Sequence, residues 1–170
     1  MGLTYTQATD LSLLDPIDLS ERLATTLRDA VPWLVILSNA DASIPEREGK
    51  WSAKEVIGHL TDSAVNNLGR IVRMQIAPEH MPDYAQESWV RVQHYREREW
   101  AEVLALWFAL NEHLVWTIRH IDPRALSNEA TVAGSPITLG FLVEDYIAHM
   151  QHHLRNLRPW LHPGEAVVTD

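Results

Sequence analysis

An all-α fold, a four-helix bundle with a long connection between its second and third helices, is what this sequence predicts. Three observations predict it. Four long segments carry apolar residues at steps of three and four, none reads convincingly as a strand, and proline-containing breaks separate them. With 170 residues, 46% apolar and 22% charged, the chain has the size and balance of one globular domain. We therefore expect a single domain over 1–170, with its core spanning about 18–161.

The first segment runs from about Asp18 to Asn39. Asp15-Pro16 starts it, and Leu19, Leu23, Leu27, Ala30, Leu34 and Leu37 form its apolar face. Pro32 lies inside, so a kink or an early break is expected there. A polar loop with Pro45 and Gly49 follows over 41–50.

The second segment opens on Ser52 with Glu55 three residues later, a capping box in which each side chain accepts from the other residue's amide. Trp51, just before the cap, is placed to pack back as a staple. Val56, Ile57, Leu60, Ala64, Leu68, Ile71 and Val72 form the stripe, and Pro78 ends it. The connection 79–87 contains Pro82 and leads to a short helical piece around Ser88–Tyr95. The third long helix is expected from about Glu97 to Ile121, with Trp100, Val103, Leu104, Trp107, Phe108, Leu110, Leu114 and Ile118 inward, stopped by Asp122-Pro123. In the loop that follows, Glu129–Val132 can pair as a brief ribbon beside the Gly134-Ser135-Pro136 turn. Thr138 caps the fourth helix, which continues to about Trp160. The long second connection means that simple up-down-up-down order does not follow from the sequence.

Composition narrows function. There is no cysteine, which excludes disulfides, thiolate nucleophiles and Cys-ligated metals. The net charge is −9 and only Lys50 and Lys54 are lysines, so a nucleic-acid partner is not expected. No apolar run approaches the roughly 20 residues of a membrane span. Met1–Asp10 lacks a basic-then-apolar signal pattern, so a cytoplasmic location is expected. Nine histidines and seven tryptophans stand out. A metal here would have to use His, Asp or Glu.

His149 and His153, spaced i, i+4, share one face of the fourth helix. Projected on that helix, Leu142, Tyr146, His149, His153, Leu157 and Trp160 face the core, while Glu144, Gln151, His152, Arg155 and Arg158 face away. Imidazoles pointing inward need partners, since an unpaired buried polar group costs on the order of 1–3 kcal/mol. A divalent ion would satisfy one nitrogen of each. The third ligand should come from a facing helix, and His59 is the candidate; it lies in a polar seam of Ser52, Val56, His59, Ser63, Asn66 and Arg70 at the edge of the core face. Three neutral ligands leave coordination positions open, as catalytic sites do and closed structural sites do not. Imidazole suits zinc, nickel, copper or iron, with zinc or nickel the expected ion. Asp62 and Asp145, one turn from His59 and His149, are candidates to hold the outer ring nitrogens. Glu144 and Glu55 are the nearby candidates for a general base, and no catalytic residue is assigned. His80, His94, His113, His120 and His162 have no paired spacing and read as surface or capping residues. Trp100, Trp107, Trp116 and Trp160 read as core, and Tyr84 and Trp89 as a candidate pocket lining.

The run Trp51-Ser52-Ala53-Lys54-Glu55-Val56-Ile57-Gly58-His59-Leu60-Thr61-Asp62 resembles the second-helix signature of the DinB/YfiT-like superfamily. Tyr95-Arg96-Glu97-Arg98 with Trp100, then Leu106-Trp107, Ala109-Leu110-Asn111 and His113-Leu114, extend the resemblance. Asp145-Tyr146-Ile147-Ala148-His149 with His153-Leu154 is similar to the terminal histidine helix of that family. The resemblance implies a four-helix bundle, a homodimer, and a divalent metal held by three histidines that map onto His59, His149 and His153. It also implies a metal-dependent enzyme acting on a small molecule. The transferase form would use a low-molecular-weight thiol of the bacillithiol or mycothiol type. A metal-dependent hydrolase and a non-catalytic, metal-stabilised binding or dimerisation module are the alternatives.

Overall fold

The computed structural model describes residues 10, 13–77, 80–132 and 134–161. Five helices dominate: α1 (Pro16–Leu34), α2 (Ala53–Ile76), α3 (Gln86–Val92), α4 (Trp100–Arg119) and α5 (Leu139–Leu161). The four long ones form the predicted bundle. Among them α1 packs against α4 and α5, and α2 packs against the same two helices. The consecutive helices α1 and α2 therefore occupy opposite corners, as do α4 and α5, and the order departs from up-down-up-down.

The expected boundaries hold where a side chain defines them. Ser52 Oγ accepts from the Glu55 amide at 3.4 Å and Glu55 Oε2 accepts from the Ser52 amide at 2.8 Å, the capping box of α2. Asp15 Oδ1 accepts from the Ile17 amide at 2.6 Å to cap α1. Thr138 Oγ1 accepts from the Phe141 amide at 3.2 Å at the start of α5. Boundaries defined by periodicity alone moved. α1 stops at Leu34 rather than Asn39, two residues after Pro32, where the missing N–H weakens the last turn. The third long helix begins at Trp100 rather than Glu97, because Tyr95–Glu97 forms a separate tight turn entered through His94 at φ 52°.

The brief ribbon is a small sheet. β2 (Glu129–Val132) pairs antiparallel with β3 (Ser135–Thr138), and Gly134 at φ +82° turns one into the other. β1 (His80–Met81), from the second connection, adds in parallel to β2. A two-residue strand has no periodic pattern to read, so β1 left no trace in the sequence. Among the described residues no helix is long and apolar enough to cross a membrane.

Leu19, Leu23, Ile57, Leu60, Ile71, Trp107, Leu114 and Tyr146 are at the centre of the core. Three expected core residues lie outside it, among them Phe108, which is 39% exposed. Trp116 is 64% exposed and stacks on His120, with ring centroids 4.2 Å apart. Val72 is also exposed. The side chain of Trp160 and all of His162 lie outside the described residues, as does the side chain of His80. Tyr84 and Trp89 pack on each other edge to face, centroids 5.0 Å apart, with Tyr84 buried.

Candidate metal centre

α2 and α5 lie side by side, and this neighbourhood brings the three predicted histidines together. His59 Nε2 is 3.2 Å from His149 Nε2, and His153 Nε2 is 3.1 Å from His149 Nε2. One ligand atom from each of the three lies within 4.8 Å of the others. Nitrogens about 2.1 Å from a shared ion stand about 3.0–3.4 Å apart for right-angle to tetrahedral coordination, so the two short separations fit a common cation.

The chemistry of the rings agrees with the spacing. His59 is fully buried and His149 is 7% exposed. Burial lowers the affinity of His59 for a proton to a pKa of about 4, with the neighbouring His153 adding to the effect. Burial, then His153, His59 and His152, takes His149 to about 3. Burial and His152 take His153 to about 4. All three rings are neutral at pH 7, the state that binds a metal. Three nitrogens crowded at one point cannot satisfy one another with their few protons; a cation can. The residues present thus fit a divalent ion.

His59 is more deeply placed than its seam position predicted, because α5 packs on α2 there and the rings of His149, His153 and Trp51 lie with centroids within 5.1 Å of its own. A boundary face on one helix becomes interior when a segment distant in sequence covers it. His153 borders an open cleft of about 610 Å³, which Trp51, Val56, Leu157 and Asn156 also line. Trp51 and Val56 both line it, with the Trp51 ring centroid 5.1 Å from that of His59. His152 is exposed and shares a 3.0 Å contact with Asn156, as its outward position required.

The candidates to hold the outer ring nitrogens behave differently from expectation. Asp62 is buried, but its Oδ1 accepts from the Tyr95 hydroxyl at 2.7 Å and from the Gln93 amide. Its Oδ2 and the Nδ1 atoms of His59 and His149 have no hydrogen-bond partner among the described residues. Burial pushes the Asp62 carboxyl up, against the lowering effect of Tyr95 and Gln93. Asp145 is buried on α5, and it makes no hydrogen bond to His149 Nδ1. The general-base candidates are committed elsewhere. Glu144 pairs with Arg22 at 3.1 Å, and Glu55 accepts from Ser52 and from Arg96 at 2.7 Å.

Sequence reasoning passed over Gln93 and Tyr95 as site residues. The Tyr95 ring lies against Gly58, where an added Cβ would overlap Tyr95 Cδ2 and Cγ. Gly58 directly before His59 was the available signal: a glycine inside a well-capped helix marks a close approach.

A model of the DinB superfamily matches residues 22–157 of this chain. The chain belongs to the DinB superfamily. A protein of Oceanobacillus iheyensis named "putative metal-dependent hydrolase" is 26% identical over 163 residues, covering 89% of this chain and 87% of that one. Among solved structures, YfiT from Bacillus subtilis, described as a probable metal-dependent hydrolase with an unusual four-helix bundle topology, superposes with a TM-score of 0.74. Its identity is 19%, and the match spans 92% of this chain and 89% of that one. A mycothiol-dependent maleylpyruvate isomerase gives a TM-score of 0.71 at 15% identity, spanning 88% of this chain and 63% of that one. At these identities the two structures establish the shared DinB fold.

Proposed function

We propose that this protein is a metal-dependent enzyme acting on a small molecule, and that it is a transferase using a low-molecular-weight thiol. The observation that carries the reading is the convergence of three neutral imidazoles, one of which, His153, lines an open cleft. A structural site would be closed by a fourth protein ligand, and among the described residues no fourth His, Asp or Glu joins the cluster. His59, His149 and His153 would hold the ion. When bound, the ion supplies positive charge that acidifies a thiol or a water in its open position. His59 and His149, buried and neutral, keep water and competing protons away from its inner side. His153 and Trp51 face the cleft and shape the approach of a ligand.

The leaning toward a thiol rests on proton bookkeeping. Activation of water calls for a base; Glu55 and Glu144 are paired with arginines, and Asp62, engaged through Oδ1 alone, is buried and does not line the cleft. A free thiol, with a pKa near 8.5, needs far less help than water at 15.7. A small thiol also brings the sulfur that this cysteine-free chain lacks. Zinc or nickel is the proposed ion and a cytoplasmic homodimer the proposed working form. The hydrolase reading is favoured by the names of the Oceanobacillus relative and of YfiT.

The test begins with the metal content of the purified protein. Cobalt- or nickel-substituted protein is then titrated with a small thiol. A new sulfur–metal absorption band, absent in His153→Ala of unchanged helicity, supports the transferase. Metal-dependent ester or amide cleavage without any such band moves the assignment to the hydrolase. Neither signal, across a broad set of thiols and esters, leaves a metal-stabilised binding module.

A further inference from the structure

The cleft over the histidines carries charges of both signs on its rim. Arg47, Lys50 and Glu46 come from the loop before α2, and Glu87 comes from the first turn of α3. The ion pairs among the described residues are made elsewhere, none by these four. Two cations and two carboxylates thus share one cleft while their charged ends stay available.

The loop that presents three of them is fastened at its base. Pro45 and Ser52 pair across a β-bridge, and Ser52 is the N-cap of α2. Within the loop the Lys50 amide donates to the Arg47 carbonyl at 3.1 Å, closing a turn that Gly49 completes at φ +77°. Arg47 and Lys50 are therefore carried on a short closed loop anchored to the helix that bears His59. The chain as a whole has a net charge of −9, whereas the four rim charges of this cleft sum to zero, so both signs are offered to a ligand there. At about 610 Å³ the cleft is in the range that admits a small organic molecule, roughly 300–1,000 Å³.

We propose that this rim selects a small zwitterionic ligand, one bearing both a carboxylate and an ammonium group beside the atom it presents to the histidines. Arg47 and Lys50 take the carboxylate, Glu46 and Glu87 take the ammonium, and Trp51 covers the carbon chain between them. The inference rests on the reading that the three histidines hold an ion over which a small molecule enters, and it names the class of that molecule.

The experiment measures dissociation constants on cobalt-substituted protein from the sulfur–metal band. Four thiols serve as probes: glutathione, with ammonium and carboxylates; 3-mercaptopropionate, with carboxylate only; cysteamine, with ammonium only; and neutral 2-mercaptoethanol. Glutathione should bind about tenfold more tightly than 2-mercaptoethanol, the size expected from a few exposed, screened charge contacts. Arg47→Ala/Lys50→Ala should weaken glutathione and 3-mercaptopropionate roughly fivefold and spare cysteamine. Glu46→Gln/Glu87→Gln should do the reverse. All four residues are exposed, so helicity and metal content should be unchanged in both variants. Equal affinities across the probes, or variants without this selectivity, overturn the inference. If no thiol produces a band, the same comparison is run by calorimetry on zinc-loaded protein with aspartate β-hydroxamate, which bears both an ammonium and a carboxylate, against acetohydroxamate. A preference for the first that falls in the Glu46→Gln/Glu87→Gln variant keeps the inference while the thiol reading fails; no preference overturns both.

Discussion

Two polar clusters lie inside this bundle, and they are finished in opposite ways. In one, Asn111 on α4 accepts from the Tyr146 hydroxyl on α5 and donates to the Trp107 carbonyl at 2.7 Å, so the protein supplies every partner that holds the pair. Asp62, held by Tyr95 and Gln93, is nearly as well served, at least through Oδ1. In the other cluster, His59, His149 and His153 crowd their Nε2 atoms together, and Nδ1 of His59 and His149 meets nothing among the described residues. A closed polar cluster stabilises the fold by itself; an open one waits for a ligand. Buried polar groups without partners are uncommon in folded proteins, and what separates site from core is that two of them, the Nδ1 atoms of His59 and His149, stand behind a point where three Nε2 atoms meet.

The largest expected effect breaks the closed side. Gly58→Ala would drive a Cβ into the Tyr95 ring, which is buried and tied by its hydroxyl to Asp62. We expect a loss of about 3 kcal/mol, read from urea unfolding, as for overpacking at a site that cannot yield. Unchanged stability would show that the ring can move off α2 freely.

Next in size is the open side when filled. Zinc in hundredfold excess over its dissociation constant should stabilise the protein by about 2.7 kcal/mol, and a chelator should remove the gain. Thermal unfolding with and without metal measures it, and His149→Leu should show no metal-dependent shift.

Asn111→Leu should cost about 1–3 kcal/mol, because the buried Tyr146 hydroxyl loses its acceptor. Tyr146→Phe made together with it should recover part of the loss, since removing both partners is milder than removing one.

The smallest effects sharpen the comparison. In metal-free protein the three histidines are held near pKa 4, 3 and 4, below the ordinary 6.5, so the unfolded chain takes up protons that the native state refuses. Their contribution to stability is complete above pH 6.5 and is lost as pH falls from there toward 4. His149→Leu in metal-free protein should change stability at pH 7.5 by less than about 1 kcal/mol, because an apolar side chain replaces an unsatisfied polar one. It should also flatten the decline between pH 6.5 and 4. A decline as steep as in the parent protein would assign the pH dependence to other groups.

The sequence by itself determined the four long helices, the capping box at Ser52, the brief ribbon at Glu129–Val132 and the inward pair on α5, since each is written in residues three or four apart or in a local turn. It also singled out His59, through its place beside the apolar stripe of α2. Tertiary structure alone decided that α2 meets α5 rather than α1, which is why His59 reaches His149. It decided that His59 is fully buried, that Trp116 is outside the core, and that Asp62 turns to Tyr95 and Gln93 rather than to a histidine. It brought Glu87 to the same cleft as Arg47 and Lys50. Helix periodicity reports which face of an element is apolar; it contains nothing about which distant element will cover that face, and the partners of each polar side chain are set by that packing.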